Sequence, residues 1–269
     1  MTARRHGILR KLVTICSIVL ATFVIFAYFV LPLLWKHFEH EPALANLSMR
    51  TETAQHIPGD PLNIGLVVSK DDLIAAFQQI GWLAADTLSL KSDLEIADSV
   101  ILDRAYRNAP VSTLYFQGRA QDFAFEKPVG ISADQRHHVR LWQVVDKGSA
   151  GQPVWLGSVS FDKGVGFSRF TGQITHHIDA NVDAARDGLI KALVDARIVS
   201  RLYDVSGIGP TLTGRNGEGD AFFTDGELTV AELRPGAIPD ASAPEILASP
   251  PLIRLKQSLW SVFAVGPDQ

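Results

Sequence analysis

The stretch Arg136-His137-His138-Val139-Arg140-Leu141-Trp142-Gln143-Val144-Val145 decides the fold class. Alternate residues of a strand share a face, so Arg136, His138, Arg140 and Trp142 point one way. Val139, Leu141 and Val145 then point into a core beside His137. Runs of similar texture lie on both sides: LYFQGR (114–119), QDFAFEK (121–127), VWLGSVSFD (154–162) and GVGFSRF (164–170). Turn signals separate them, with Lys147-Gly148-Ser149-Ala150-Gly151 as one hairpin loop and Asp162-Lys163-Gly164 as another. Successive antiparallel strands are predicted from Thr113 to Phe170.

Helical periodicity brackets this block. Leu62 to Val68 is a buried-strand candidate. Ser69 then supplies an N-cap, with Asp71 and Asp72 in the first turn, where negative charge complements the helix dipole. Leu73, Ile74, Phe77 and Ile80 recur at helical spacing, Gly81 supplies the stop, and Trp82 reads as a core plug. A second helix is expected from Ser89 to Tyr106. A third should begin just after Thr175-His176-His177-Ile178-Asp179, with Ala184, Leu189, Ala192, Leu193 and Ala196 on its apolar side.

Val199 to Val205 reads as a strand and Gly207 to Asp220 as a glycine-rich loop. Ala221–Thr224 and Leu228–Val230 are expected to form a closing hairpin turned at Asp225-Gly226. These elements predict an α+β domain over 62–235, with a mainly antiparallel sheet and about three helices. Residues 236–269 form an Ala/Pro-rich tail with a short helix expected from Leu252 to Val262.

From Leu12 to Trp35 no residue is charged. About 20 apolar residues at 1.5 Å rise cross a hydrocarbon core of roughly 30 Å, so 12–35 reads as a transmembrane helix. Arg4, Arg5, Arg10 and Lys11 precede it without an acidic residue, which places 1–11 in the cytoplasm and the domain outside it. A cleaved signal peptide is the rival. Its apolar core would be shorter and followed by a small-x-small site, which Leu31 to Trp35 does not offer. Residues 36–61 read as a linker punctuated by Pro42, Pro58-Gly59 and Pro61.

Composition narrows the function classes. The single cysteine, Cys16, lies in the span, so no intramolecular disulfide or cysteine-rich zinc motif forms. A pI near 6.0 gives no basic field, and nucleic acid is not an expected partner. The first eleven residues hold four of the 25 basic groups and none of the 29 acidic ones, so the rest of the chain carries −8. The domain is tethered beside the bilayer rather than held there by charge.

Two histidine pairs, His137-His138 and His176-His177, concentrate the chemistry. Arg136 and Arg140 offer planar donor forks for a carboxylate or phosphate, with Trp142 on the same face. Imidazole with carboxylate is also ligand chemistry for a divalent metal, and His138, His176, His177 and Asp179 are the candidate ligands. In a hydrolase, His138, His177 and Asp162 would serve catalysis. Each has a structural use too: Asp179 as a helix N-cap, a histidine on a buried carbonyl, the arginines in ion pairs with Asp122, Glu126 or Asp162. HExxH, GxSxG, Walker and complete dinucleotide motifs do not occur.

LNIGLVV (62–68), Gly81-Trp82, Pro110 with Ser112, Gly118-Arg119 with Gln121-Asp122, RHHVRLW, VWLGSVSFD, THHID and RNGEGDAFFTDG (215–226) follow in order. In this the chain resembles the LssY C-terminal domain family of bacteria over about residues 60 to 233. The resemblance implies a bacterial inner-membrane setting and draws attention to the residues of those motifs, Arg119 among them as a further binding candidate. Related domains are joined to multi-spanning proteins resembling DedA-type or phosphatidic-acid-phosphatase-like proteins. Their phosphatase chemistry belongs to that other domain and does not carry over. Two functions are expected. One is a membrane-anchored, envelope-side accessory or binding domain for an anionic ligand or membrane partner. The other is a metal-assisted hydrolase of a phosphate-containing envelope substrate.

Overall fold

The computed structural model describes residues 2–44, 47–85, 113–130, 135–170, 172, 174–205 and 213–260. The helix expected from Ser89 to Tyr106 lies outside them. The N-terminal run is helical throughout: α1 (Thr2–Ile25), a π-helical turn (Phe26–Val30) and α2 (Leu31–Phe38). There follow β1 (Arg50–Glu52), β2 (Pro58–Pro61), β3 (Ile64–Val67), α3 (Lys70–Gln79), β4 (Leu83–Ala84), β5 (Tyr115–Phe116), β6 (Arg119–Ala120) and β7 (Phe123–Pro128). Then come β8 (Arg136–Val145), β9 (Val154–Phe167), β10 (Ile174–Ile178), α4 (Val182–Asp195) and β11 (Val199–Val205). The chain continues with β12 (Thr213–Arg215), β13 (Ala221–Phe223), β14 (Leu228–Leu233), β15 (Glu245–Ile246) and α5 (Pro251–Trp260).

A nine-stranded sheet carries the fold in the order β15-β11-β14-β3-β9-β8-β7-β4, with β10 paired to the far half of β9. Its pairings are antiparallel except β14–β3 and β11–β15. The class is α+β, as the alternation in β8 requires.

The sheet buries both faces. Ile64, Leu66, Phe123, Phe125, Val139, Leu141 and Val159 pack under Leu73, Ala76 and Phe77 of α3 and Ala185, Leu189 and Leu193 of α4. On the opposite face Val67, Trp142, Leu156, Tyr203 and Val230 meet Leu44, Met49, Leu62, Leu114 and Phe116. Each such side chain contributes roughly 1.5–3 kcal/mol by leaving water. Helix α3 forms as its sequence requires. Ser69 Oγ accepts from Asp72 N at 3.2 Å, and Gly81 ends the helix at φ +75°, open to glycine without strain. Trp82 is buried edge-on against Phe77.

Three local expectations are corrected. The stretch 36–61 is no free linker: Glu39, Glu41, Leu44, Met49 and Asp60 are buried, and β1 and β2 pair with each other. Asp162-Lys163-Gly164 makes no hairpin, because β9 runs on to Phe167, where β10 supplies its ladder partner. Thr175 to Ile178 accordingly lies in β10. Ala221–Phe223 pairs with β12 rather than with β14, which is taken by β11 and β3.

Candidate functional site: a buried polar network

Register builds the site. Across β8 and β9, Arg136 faces Asp162, His138 faces Ser160 and Arg140 faces Ser158, while Glu126 on β7 faces His138. All seven side chains share the sheet face opposite α3 and α4, and each residue is at most 5% exposed. Two further groups close over them: Asp60 at the end of β2 and Asn216 in the turn after β12, both buried.

Most of the donors find acceptors within the chain. Arg136 Nε donates to Asp162 Oδ2 at 2.9 Å and its Nη1 to Glu126 Oε2 at 3.0 Å. Arg140 Nη1 donates to Asp60 Oδ2 at 3.2 Å, and Asn216 Nδ2 donates to Asp60 Oδ1 at 3.1 Å. His138 Nδ1 lies 3.1 Å from Asp162 Oδ1 but off hydrogen-bond alignment. Its Nε2 lies 2.7 Å from Ser160 Oγ and 2.9 Å from Arg140 Nη1. Which ring nitrogen donates in these contacts is set by the tautomer. Within the network, Arg140 Nε and Ser158 Oγ, like the misaligned His138 Nδ1 and Asp162 Oδ1, are buried with no hydrogen-bond partner among the described residues.

Charge balance explains how such a cluster is tolerated. Three carboxylates (Glu126, Asp162, Asp60) face two guanidiniums and one imidazole, so the cluster is neutral when His138 is protonated. Burial pushes Asp162 upward, yet His138 and Arg136 outweigh it and hold the acid well below the usual range. Asp60 is likewise lowered, burial being overcome by His138 and Arg140. For His138 burial opposes the charged form, but Asp162 prevails and the pKa is raised. Glu126 is raised, because burial exceeds the pull of Arg136.

The second histidine pair borders this network without closing a metal site. His176 Nδ1 lies 3.4 Å from Arg136 Nη2. His177 takes the other direction: its Nδ1 contacts Asp220 Oδ1 at 2.7 Å, while Asp220 Oδ2 accepts from Ile178 N at 3.0 Å. Asp220 N donates to Asn216 Oδ1 at 2.9 Å, so His177, Asp220, Asn216, Asp60 and Arg140 form one continuous chain. The His177 ring lies over Gly166, where a Cβ would come 2.5 Å from Nε2.

The expected ligand set His138, His176, His177 and Asp179 is therefore not assembled. Adjacent strand residues diverge, and Asp179 Oδ1 accepts from Asn181 N at 2.9 Å. Among the described residues no three His, Cys, Asp or Glu side chains converge as metal ligands. Nor is Asp179 the cap of α4, since Asn181 Oδ1 accepts from Ala184 N. Trp142 does share the Arg136–His138–Arg140 face, but it lies wholly within the apolar core, its Nε1 donating to Arg119 O. Arg119 stands apart, exposed, on Asp122 and the Gln143 carbonyl.

Sequence reasoning brought Arg136, His138, Arg140 and Asp162 together, with Glu126 as a structural partner. It missed Asp60, Ser158, Ser160, Asn216 and Asp220. A signal for two of these was present: Ser158, Ser160 and Asp162 alternate, placing three polar groups on one face of a strand. Asp60 sits in a Pro/Gly-rich stretch and Asp220 in a glycine-rich one, where no periodicity marks a buried partner.

No curated protein and no solved structure matches the chain. The family model described as LssY C-terminus matches residues 44–228, from Leu44 in the second core to Leu228 on β14, and so contains every member of the network. The chain belongs to the LssY C-terminus family.

Proposed function

We propose that this is a single-pass protein of the bacterial inner membrane whose LssY domain stands on the envelope side and serves there as an accessory domain for a membrane partner. The junction between span and domain carries the reading. A helical run of 33 residues, His6–Phe38, contains an apolar stretch long enough to cross a membrane, none of it buried against the domain. Directly after Phe38, Glu39 and Glu41 are buried, and Glu41 Oε2 accepts from Ser149 N and Oγ at 2.8 Å. A domain joined this tightly is held against the bilayer. An anionic ligand is the weaker half of the expectation, because Arg136 and Arg140 already face carboxylates of their own chain.

Alkaline extraction of membranes with intact-mass analysis tests the anchor. The uncleaved 29.3 kDa chain should stay in the membrane pellet. A soluble species lacking the first ~35 residues would identify a signal peptide instead and overturn the reading.

Hydrolysis of a phosphate-containing envelope substrate has one observation in its favour. Asp220 orients the His177 ring through Nδ1, and that side chain is 23% exposed. In that reading His177 Nε2 is the general base, and His138 and Asp162 support the fold rather than touch substrate. Loss of a phosphoesterase activity in His177→Ala, with unchanged thermal stability, would favour it.

A further inference from the structure

Helix α5 lies beyond the family match and has no role in the network. One side of it is fixed to the domain: Ile253 is 1% and Lys256 7% exposed, and Gln257 Nε2 donates to Glu227 Oε1 at 2.7 Å. Another side is apolar and open. Leu255 is 55% and Leu259 61% exposed, four residues apart and hence stacked on one side of the helix, with the half-buried Leu252 one turn before them.

The position of α5 indicates what covers these leucines. It packs against α2 at the end of the membrane anchor. His40 Nε2 contacts the carbonyl of Ala248, just before α5, at 3.1 Å, and Lys256 lies between the charges of Glu39 and Glu227. On α2 itself Leu33 is 69% and Phe38 44% exposed. The open leucines thus continue the apolar surface of the anchor sideways at the level where it leaves the bilayer. Exposed Arg254 on α5 and Lys36 in the last turn of α2 add cations at that level, matching anionic headgroups. Short amphipathic helices with this division of residues lie in the interface plane.

We propose that α5 is an interfacial helix resting in the headgroup layer of the same membrane, with Leu255 and Leu259 in contact with lipid. The inference rests on the reading of α1 and α2 as a membrane span. It gives the domain a second attachment beside the first, which removes its freedom to rotate about the anchor axis and presents one fixed face to a partner.

The test uses the full chain in a Cys16→Ser background. It is reconstituted in vesicles of phosphatidylethanolamine and phosphatidylglycerol carrying nitroxide lipids. An environment-sensitive fluorophore is placed in turn at Leu255→Cys, Leu259→Cys, Ser258→Cys and Leu20→Cys. Probes at 255 and 259 should be quenched several-fold more by shallow nitroxide than the probe at 258, which aqueous iodide should reach. Iodide quenching of 255 and 259 equal to that of 258, without lipid quenching, would overturn the proposal. Protection from both quenchers would also overturn it, by showing a protein cover such as a partner or a second copy. The probe at 20 reports separately on the span: failure of deep nitroxide to quench it would defeat the membrane-anchor reading itself.

Discussion

Arg136 and Asp162 face each other across β8 and β9, and Nε to Oδ2 is 2.9 Å with both side chains at most 2% exposed. The same guanidinium reaches Glu126 on the neighbouring strand, so one cation ties three strands in register. Slipping any of them by one residue would turn its charged group toward the core under α3 and α4. The network therefore acts on uniqueness of the fold more than on net stability, since desolvation offsets much of the Coulombic gain.

Arg136→Ala leaves Glu126 and Asp162 buried without their cation. Chemical denaturation of the detergent-solubilised chain should show a loss of about 3–5 kcal/mol. Adding Asp162→Ala should cost less than the sum of the two single changes, because the residues share one network. Strict additivity would show that the pair is not coupled.

The pH dependence of this cluster has two limbs. Asp162 and Asp60 have folded pKa values below their ordinary ones, so their contribution is present above the usual aspartate range and is lost as pH falls through it and below. The folded pKa of His138 is raised, so its contribution is complete below the ordinary imidazole value of about 6.5 and is lost as pH rises through the folded value. Thermal unfolding across pH should lose its alkaline limb in His138→Gln and keep a reduced acid limb, since Arg136 and Arg140 still hold Asp162 and Asp60. A His138→Gln profile parallel to that of the unchanged protein on the alkaline side would contradict the assignment.

Glu227 works in the opposite sense. Burial pushes it up to about 7, with Gln257 as its hydrogen-bond donor. An acid whose folded pKa is raised costs stability as pH climbs from its unfolded value to the folded one. Glu227→Gln should therefore stabilise the chain at pH 8 by about 1 kcal/mol, discounted for partial exposure, and change it little at pH 5. Denaturation midpoints at the two pH values decide it.

Gly166 is required by the close approach of the His177 ring. Gly166→Ala should displace the imidazole and break its contact with Asp220, whereas Gly164→Ala meets no atom within 4 Å. Histidine NMR of both variants separates the cases: the His177 ring signals should move in the first and stay in the second.

Much of this architecture was legible because short-range physics decides it. The alternation from Arg136 to Trp142 fixed which side chains share a face, and the Ser69 cap and Gly81 stop bounded α3. What was illegible depends on distant partners. Asp162-Lys163-Gly164 has good turn chemistry, yet the ladder offered by His176 and His177 on β10 keeps β9 extended through it. Asp225-Gly226 looks like a hairpin tip, but Arg186 on α4 grips Asp225 with two bonds of 2.9 and 3.0 Å, making the turn a joint to the helix. The expected metal set is not brought together among the described residues for a local reason: neighbouring histidines on one strand diverge, and His177 turns to Asp220, 43 residues away.

The central claim, a cytoplasmic N-terminus with the domain on the envelope side, is tested most directly by thiol accessibility in intact spheroplasts. In a Cys16→Ser background, Lys191→Cys places a thiol on α4 where the native side chain is 74% exposed, and Ala3→Cys places one before the span. A membrane-impermeant maleimide should label position 191 in intact spheroplasts and position 3 only after lysis. Labelling of position 3 alone in intact spheroplasts, or of neither position until lysis, would contradict the account.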